Sequence, residues 1–524
     1  MLDSRILSQN DSRAASPKSP DMRCVPQLRC FLTHGHLRCQ KALTCIVVMA
    51  VCLVALFSSQ ARASNVTITG QTQGPSPFIS KINATISNVA TLDHIDFKIY
   101  PKPGSATRPV FARYSSAYLQ GRGYLNLSTG KVTIPVFGLY ANYNNSVLLV
   151  FFFSDETYQR YTVSAQTPVW NDSTGAYLNP TINQARVNTS TLSYDFILLK
   201  NYGSPNTPII IDTDGQVRWA GTAGVATQSA ILFENGIYIG DGGAGVIRME
   251  WDGTYKSIAN YSSIGVTFTG HHNYDYGKTG MIIDVNTSAW TECVNIEIDG
   301  AGNVLHTWNL ADIISAAMTS GGDDPTQFVH GQPTDWFHNN ATAYRPSDDS
   351  LIVSSRENFV IALDYNTGNI KWILGDPTKH WYQFPSLRQY ALTIAPNTTP
   401  PIGQHAVSIY RDNLLLMDDG ANSQFQSPAG ASRSYTSPRK YTIANNTATE
   451  IWNYTAGQSL YSAFCDSVYE DRSQNYLLCY SQINELIGLD PTGAKVFDYR
   501  YNVVNGCGTS WNAVPIHMEN IRFN

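Results

Sequence analysis

The chain has 524 residues, a charged content of only 14% and a formal net charge of −5 at pH 7. This length suggests more than one domain, or one large repetitive domain. The small negative charge gives no electrostatic basis for binding nucleic acid, so no nucleic-acid partner is expected. The 30 tyrosines, 38 glycines and many short β-branched runs predict an all-β fold.

Residues 1–63 have the pattern of an N-terminal extension that ends in a signal peptide. The run Ala42–Phe57 is apolar apart from Thr44, follows Arg38 and Lys41, and precedes a small-residue cleavage sequence at Ala61–Ala63. This order of basic, apolar and small residues is typical of export signals. The alternative is an uncleaved anchor helix, although about 20 apolar residues are usual for spanning a bilayer. The pattern predicts a periplasmic or extracellular protein without a membrane segment after cleavage.

Four cysteines remain in the predicted mature chain: Cys293, Cys465, Cys479 and Cys507. An even number in an oxidising compartment favours disulfides, and three pairings of four cysteines are possible. Cys465 and Cys479 flank a segment with the pattern of two strands around a polar turn. We therefore predict a Cys465–Cys479 disulfide.

Two domains are predicted in the mature chain. Residues 64–168 contain strand-like runs separated by Gly, Pro and Asn turns, which is typical of a small β-sandwich. Residues 169–524 repeat a unit in which a turn rich in Asp, Asn or Gly precedes a short strand with an aromatic residue. The six units are Asp212–Trp219, Trp251–Tyr261, Asp299–Trp308, Asp364–Trp372, Ile443–Tyr454 and Asp490–Tyr501.

This repetition predicts a six-bladed β-propeller, because propeller blades repeat at roughly 40–50 residues. The alternative is a long sandwich with ordinary hairpins. One short helix is predicted within the repeats, at Ala311–Ser320.

Histidines occur beside predicted strand starts in three of the repeats. They are the pair His271 and His272, then His338, and then His405. Equivalent points on successive blades meet near the propeller axis, so these side chains are predicted to share one pocket. Asn340 and Arg356 accompany His338 in the same repeat.

Three interpretations of these histidines remain at this point. Each could be a buried side chain with ordinary partners, the set could bind a metal ion, or it could handle an anion. Arg356 favours the anion, because a guanidinium binds planar or tetrahedral oxyanions in a two-pronged way. No H-x-H or H-E-x-x-H motif lies near these histidines, which also argues against a metal, so no metal ligand is predicted.

The segments "HHN", "DWFHNNA", "DDSLIVSSREN", "IKWILGDP", "QHAV" and "SRSY" resemble the bacterial arylsulfate sulfotransferase family. The resemblance also covers "SPFISKINATISNV", "RPVFARYS" and "IPVFGLYANYNN" in the predicted sandwich. It implies an exported six-bladed propeller behind a β-sandwich, often a homodimer, that needs neither a nucleotide sulfate donor nor a cofactor. Its substrates are a phenolic sulfate donor and a phenol acceptor.

The resemblance also assigns roles to residues. It implies that His405 becomes sulfated, that His338, Asn340 and Arg356 complete the site, and that His271 or His272 faces the pocket, with His272 preferred. An acidic residue commonly follows the histidine pair in the family, whereas Asn273 stands here.

Trp336 and Tyr435 are predicted to hold the aromatic ring of the substrate. Two alternatives to a sulfotransferase that works by a ping-pong mechanism remain. They are a metal-dependent hydrolase propeller and a non-catalytic propeller that binds aromatic or sulfated ligands.

Overall fold

The structure is a computed structural model that describes residues 64–172, 174–188, 192–200, 204–502, 506–507 and 512–524. The predicted extension and signal peptide, residues 1–63, lie outside the described residues. In the described part nearly all regular structure is β-strand, so the predicted all-β class is confirmed.

The N-terminal part forms two sheets around one core. Its strands are β1 (Val66–Gln73), β2 (Ile79–Ile86), β3 (Leu92–Ile99), β4 (Val110–Ser115), β5 (Leu125–Asn126), β6 (Lys131–Phe137), β7 (Asn144–Phe153) and β8 (Tyr158–Gln166). One sheet has the order β1-β2-β6-β5, and the other contains β4-β3-β7-β8. Buried residues of both sheets, among them Ile82, Ile95, Phe97 and Ile134, belong to one hydrophobic cluster.

The rest of the described chain contains 26 strands in six further sheets and one strand that returns to the N-terminal part. The strands are β9 (Thr181–Gln184), β10 (Phe196–Lys200), β11 (Ile209–Asp212), β12 (Val217–Ala220), β13 (Ala230–Phe233), β14 (Gly236–Gly240), β15 (Gly245–Met249), β16 (Tyr255–Asn260), β17 (Val266–Tyr276), β18 (Met281–Thr287), β19 (Val294–Ile298), β20 (Val304–Asn309), β21 (Asn339–Arg345), β22 (Ser350–Ser355), β23 (Val360–Asp364), β24 (Ile370–Leu374), β25 (Thr393–Ile394), β26 (His405–Tyr410), β27 (Asn413–Asp418), β28 (Ser437–Ala444), β29 (Thr447–Asn453), β30 (Ser467–Glu470), β31 (Tyr476–Tyr480), β32 (Glu485–Leu489), β33 (Lys495–Arg500), β34 (Asn512–Ile516) and β35 (Ile521–Phe523).

The six sheets follow one another along the chain. Their orders are β12-β11-β10-β34, β13-β14-β15-β16, β17-β18-β19-β20, β21-β22-β23-β24, β25-β29-β28-β27-β26 and β30-β31-β32-β33-β9. One edge strand of each sheet contacts the edge strand of the next sheet. β13 lies beside β17, β17 beside β21, β21 beside β26, β26 beside β30, and β30 beside β34. The strands β17, β21 and β26, which carry or directly follow the predicted histidines, are therefore neighbours.

Side chains within the turns explain the repeated sequence pattern. Asp299 Oδ1 accepts hydrogen bonds from the backbone N–H groups of Ala301 and Asn303, at 2.9 and 2.8 Å, and Asp490 makes the equivalent contacts in the last unit. Such carboxylate-capped turns connect the two strands of a hairpin, here β19 to β20 and β32 to β33. In the fifth unit Asn445 and Asn446 both have positive φ, as a tight hairpin turn requires. Each predicted unit leads into a late strand of one sheet, namely β12, β16, β20, β24, β29 or β33.

Three α-helices occur among the described residues: α1 (Ser116–Gly121), α2 (Leu310–Ser320) and α3 (Pro385–Arg388). The predicted helix at Ala311–Ser320 is thus confirmed as α2. Its N-cap is Asn309, whose side chain accepts hydrogen bonds from the next turn, and it buries Leu310, Ile314 and Met318. Within the described ranges, no helix is both long enough and apolar enough to cross a membrane.

The predicted Cys465–Cys479 disulfide is wrong, because the structure joins Cys465 to Cys507 with a Cα–Cα distance of 5.9 Å. Cys479 lies inside β31, opposite Ser467 of β30, and its sulfur is 3.4 Å from the Ser481 hydroxyl. Cys507 follows β33 in the chain, and it contacts the loop that precedes β30 and contains Cys465. Sequence proximity therefore suggested a hairpin partner where a distant loop supplies the second sulfur.

Candidate active site

The three histidine-bearing segments share an irregular backbone at the predicted positions. The ladder between β17 and β18 breaks between Thr269 and Tyr274, which spans both His271 and His272. The β21 ladder shifts beside His338, and the β26 ladder shifts just after His405. Such irregularities redirect side chains out of the regular alternation of a strand. They explain how adjacent side chains on neighbouring strands can meet at one place.

Strained backbone marks the same positions. His338 has a φ of 54°, and Ala406, directly after His405, has a φ of 51°. Gly403 has a φ of 62°, and a Cβ at this position would lie 2.6 Å from the carbonyl oxygen of Ala421. Glycine is therefore required two residues before His405, where the chain turns into β26.

The structure brings the four histidines together. Ring centroids are 4.2 Å apart for His271 and His272, 5.0 Å for His272 and His338, and 5.5 Å for His272 and His405. His272 thus lies between the other two segments, while His271 lies toward Glu292. Both members of the pair belong to the cluster, and His272 is the one nearer to His405.

His338 contacts two carboxylates. Its Nδ1 lies 2.9 Å from Glu292 Oε2 and also contacts Asp335 Oδ2, while Glu292 Oε2 is 2.8 Å from His271 Nδ1. Burial lowers the pKa of His338, but Glu292 and Asp335 outweigh it and raise the pKa to about 10. The partly buried ring is therefore an imidazolium at neutral pH, with Nδ1 donating to Asp335 and lying beside Glu292.

His272 has the opposite charge state. Its Nε2 lies 3.1 Å from Nε2 of His338. Burial, together with the neighbouring histidines and Arg356, holds the pKa of His272 well below its usual value. A neutral His272 accepts the Nε2 proton of His338 as a hydrogen bond, so the two rings form a donor and acceptor pair.

His405 is buried with its two ring nitrogens in different surroundings. Nδ1 lies 2.7 Å from Asp419 Oδ2 and 3.1 Å from the carbonyl oxygen of Gly403. A carbonyl can only accept a hydrogen bond, so Nδ1 carries the proton. Nε2 then holds a lone pair, and it has no hydrogen-bond partner among the residues that the structure describes. Burial, His338 and Arg356 keep the pKa of His405 well below its usual value, so the ring stays neutral.

Asp419 is itself in an unusual environment. Burial and the nearby carboxylates of Asp466 and Asp418 raise the pKa of Asp419 well above its usual value. Asp466 is held by the Ser481 backbone N–H and the Ser462 hydroxyl, both at 2.6 Å. Positive charge on His405 would therefore favour the ionised form of Asp419, because the carboxylate lies 2.7 Å from Nδ1 in a buried environment.

Arg356 is buried beside Glu357, which its Nη1 contacts. Glu357 in turn accepts backbone hydrogen bonds from Gln424 and Phe425, at 2.6 and 3.2 Å. Lys379 donates to the carbonyl oxygens of Arg356 and Glu357, at 3.1 and 3.0 Å. This network fixes the guanidinium, and its positive charge lowers the pKa of both His272 and His405.

Asn340 connects two of the site segments. Its Nδ2 donates to the carbonyl oxygen of Gln404 at 2.7 Å, directly before His405. Asn273, which stands where the family commonly has an acidic residue, contacts Lys200 Nζ and the Asn340 carbonyl oxygen, both at 3.4 Å. Asn340 therefore holds the His405 segment in register with β21.

The two aromatic residues that were predicted to hold the substrate ring differ in burial. Trp336 is fully buried, with its ring against Phe328 and Phe337 at centroid distances of 5.4 and 5.2 Å. His405 and Arg356 are almost as buried as Trp336, so contact between Trp336 and the substrate stays a prediction. Tyr435 is only partly buried, and its hydroxyl lies 3.4 Å from Arg439 Nη2. Its contact with substrate stays a prediction.

Sequence reasoning missed the carboxylates of the site: Glu292, Asp335, Asp419 and Glu357. Asp335 and Glu357 lie inside the quoted segments "DWFHNNA" and "SSREN", where an acid beside a predicted functional residue was a usable signal. Glu292 and Asp419 reach their histidines only through tertiary contacts, so no local pattern indicated them.

A separate cavity of about 100 Å³ lies along later residues of the same strands. Asp275, Thr342, Ile409 and Glu470 are among the residues that line it. Asp275 accepts a 2.7 Å hydrogen bond from the Thr342 backbone N–H, and burial raises its pKa to about 6. This cavity does not include any of the four clustered histidines.

The arrangement as a whole combines three chemical capacities in one place. A neutral imidazole with an available lone pair, an imidazolium acid and a fixed guanidinium supply a nucleophile, a proton and positive charge. The sequence model described as Arylsulfotransferase (ASST) matches residues 181–502 of this chain. The match covers more than half of the 524 residues, and the chain belongs to this family.

Two curated relatives carry the name "Arylsulfate sulfotransferase AssT". The chain is 23% identical to the one from Escherichia coli O6:H1 over 299 residues and 23% identical to the one from Lelliottia amnigena over 300 residues. In both cases the match covers 48% of this chain and 48% of the relative. The chain thus spans about half the length of the curated relatives it matches.

Solved structures resemble the chain weakly. A protein of unknown function from Bacteroides caccae is 12% identical, with a TM-score of 0.39 over 62% of this chain and 99% of that one. A streptogramin B lyase is 11% identical, with a TM-score of 0.34 over 62% of this chain and 88% of the lyase. Similarity at this level carries no conclusion about the chain.

Proposed function

We propose that the protein is an aryl-sulfate sulfotransferase that moves a sulfuryl group from a phenolic sulfate ester to a phenol. One observation carries the proposal: the buried, neutral His405 has its Nδ1 proton fixed by Asp419 and Gly403 and its Nε2 available. Membership of the arylsulfotransferase family supports the same reaction class.

In the first half-reaction Nε2 of His405 attacks sulfur, an N–S bond forms and the bond from sulfur to the phenolic oxygen breaks. Positive charge develops on the imidazole, and the nearby carboxylate of Asp419, 2.7 Å from Nδ1, stabilises it. The departing phenolate takes the Nε2 proton of His338, which the carboxylates of Glu292 and Asp335 otherwise hold on the ring.

In the second half-reaction an acceptor phenol gives its proton back to His338 and its oxygen attacks sulfur. The N–S bond breaks, and His405 returns to its neutral form. The transfer therefore follows ping-pong kinetics and requires no cofactor. Arg356 stabilises the sulfuryl oxygens through the guanidinium N–H groups that Glu357 does not take, and the Asn340 amide is a second candidate donor.

The proposed architecture is an N-terminal β-sandwich followed by a six-bladed β-propeller, with the boundary near residue 168. Six sheets in chain order and the sequence of adjoining edge strands support it. The meeting of histidines from three consecutive sheets also supports it, since propellers gather such positions at their axis. An experimental structure in which β34 does not adjoin β13 would contradict a closed ring of six.

The direct test is intact-protein mass spectrometry after rapid mixing with an aryl sulfate and an acid-free quench. We expect the wild-type protein to gain the mass of one SO₃ group, located on His405 by peptide sequencing. His405→Ala should show no gain and no transfer, while His306→Ala, a histidine stacked on Trp308 outside the cluster, should behave like wild type. Binding of aryl sulfate without turnover would favour a non-catalytic propeller instead.

Export from the cytoplasm is part of the proposal. The apolar run and the small-residue site before Ser64 support it. N-terminal sequencing of protein from the periplasm or medium should give Ser64 as the first residue. Recovery of the protein solely from the cytoplasm, with an intact N-terminus, would contradict export. A homodimer, which the family resemblance allows, is tested by the sedimentation of the same purified material.

A further inference from the structure

Three of the clustered histidines and Glu292 offer ligand atoms of the kind that bind metal ions. We propose that His271, His272, Glu292 and His338 form a site for one late first-row divalent metal ion, with Zn²⁺ as the preferred ion, and that the bound ion blocks the site. One ligand atom from each residue can be chosen so that all four lie within 4.8 Å of one another. The competition with substrate rests on the proposed function, whereas the binding itself does not.

The donor set suits zinc. Three imidazoles and one carboxylate offer nitrogen and oxygen ligands of the type that Zn²⁺ binds tetrahedrally at about 2.0–2.2 Å. The two Nε2 atoms of His272 and His338 are already 3.1 Å apart, close to the separation of two nitrogens on one zinc ion. Alkaline-earth ions prefer sites built from oxygen alone, so Ca²⁺ and Mg²⁺ fit poorly.

The charges near the cluster also balance a divalent ion. Glu292 and Asp335 each contact Nδ1 of His338 and place two carboxylates beside three imidazoles. The positive charge of Arg356 was the main argument against a cation, but its guanidinium contacts Glu357. A divalent ion among neutral imidazoles would therefore leave the group close to neutral, which a buried site requires.

The supporting shell is largely in place before any ion binds. Asp335 contacts Nδ1 of His338, so it can orient this ring while Nε2 faces the ion. Glu292 precedes β19 and is buried, and the backbone N–H of Asn339 is bonded to its carbonyl oxygen at 2.8 Å. The four residues thus come from three connected segments of sheet and need only small side-chain movements to close on one ion.

Occupation by zinc has a chemical consequence for transfer. An ion on Nε2 of His338 takes the position of the proton that the leaving phenolate would receive. An ion on His272 also adds positive charge next to His405, whose nucleophile must stay electron-rich. Zinc should therefore inhibit transfer without being chemically required for it.

The test uses full-length mature protein without a histidine tag, treated with chelator and then titrated with Zn²⁺ in competition with a chromophoric chelator. We expect one strongly bound ion per chain. Cobalt(II) in its place should give the intense visible absorption of a four-coordinate site. Glu292→Gln should weaken zinc binding by more than the roughly 10–100-fold that loss of an outer-shell partner costs, and His272→Ala should remove the strong site, while His306→Ala should bind as wild type does.

Inhibition is read separately, by measuring aryl-sulfate turnover against zinc occupancy. Loss of turnover in proportion to occupancy, restored by chelator, supports the inference. Zinc that binds no more tightly to wild type than to His272→Ala overturns the site, and a loaded protein with full turnover overturns the inhibition. If strong zinc binding persists but no chain shows sulfuryl transfer, the proposed function fails while the metal site stands.

Discussion

At the scale of single residues, the site depends on paired groups whose partners set their charge. Glu292 and Asp335 keep His338 protonated, while Asp419 and a backbone carbonyl fix the tautomer of the neutral His405. Two histidines only a few ångströms from a shared neighbour thus hold opposite protonation states, as an acid and a nucleophile must. The proposed chemistry therefore depends on these carboxylates and on the backbone carbonyl as much as on the histidines.

Replacement of Arg356 by lysine should reduce kcat/KM about 10²-fold or more. Lysine keeps the charge but loses the planar fork that contacts Glu357 and, in the proposed reaction, two sulfuryl oxygens. The measurement is steady-state transfer between a chromogenic aryl sulfate and a phenol. Arg248→Lys, at a pair with Glu250 remote from the histidines, is the matched control. Near-normal turnover of Arg356→Lys would assign Arg356 a structural role.

Asp419→Asn should slow sulfation of His405 about 10²-fold or more with little change in substrate affinity. The amide can still accept the Nδ1 proton, but it cannot neutralise the positive ring that forms during attack. Single-turnover kinetics separate the two effects. Asp490→Asn, in a surface turn, controls for the loss of a carboxylate. A variant whose sulfation rate matches wild type would remove Asp419 from the mechanism.

Asp275 gives a prediction for stability against pH. Burial raises its pKa to about 6 from an ordinary 3.8, so between these values the folded state binds more protons than the unfolded state. The contribution of Asp275 to the free energy of unfolding therefore falls as pH rises from about 4 to 6. The fall is roughly 2 kcal/mol after allowing for the partial exposure of the carboxyl to the cavity.

Asp275→Asn carries no charge, so it should be relatively more stable than wild type at pH 7 than at pH 4. Denaturant unfolding at both pH values measures this difference. Asp155→Asn, at an exposed position, should show no comparable gain at pH 7. If wild type and Asp275→Asn have parallel pH profiles, the carboxyl of Asp275 ionises as freely in the folded state as in the unfolded state.

At the scale of elements, turns and strand irregularities decide where the chemistry lies. The aspartate and asparagine turns are local, so all six repeat units and α2 could be predicted from sequence. His405, His338 and Arg356 were also predictable, because each stands in a short motif beside a strand. Glu292 and Asp419 were not, since their contacts depend on how separate sheets pack. The full burial of Trp336 was not predictable either, because an aromatic beside a functional motif has the same local pattern whether it faces solvent or core.

The Cys465–Cys507 disulfide belongs to this scale as well. The two cysteines are 42 residues apart, and closing a loop of this length is worth about 4 kcal/mol in the chain-entropy description. Peptide mapping without reductant should recover a linked Cys465–Cys507 pair, and Cys465→Ser should lower the unfolding free energy by up to that amount. Cys479→Ala should leave the link intact. A linked Cys465–Cys479 peptide would contradict the structure.

At the scale of the whole molecule, early and late parts of the chain meet in three sheets. β9 pairs with β33, β10 pairs with β34, and β35 pairs in parallel with β4 of the N-terminal part. The four sheets between them are made from strands that are close in sequence. The described molecule therefore combines locally built sheets with three that join its two ends.

This pairing determines the order in which the sheets can be completed during synthesis. While the last residues are still unmade, β4, β9 and β10 each lack the late strand that pairs with them and expose unpaired backbone N–H and C=O groups. The four intermediate sheets can form as they emerge, but the other three must wait for residues 495–523 to leave the ribosome. A chain released even a few residues early would keep the edge of β4 open, and open edges of this kind recruit other strands, so premature termination carries a particular risk of aggregation.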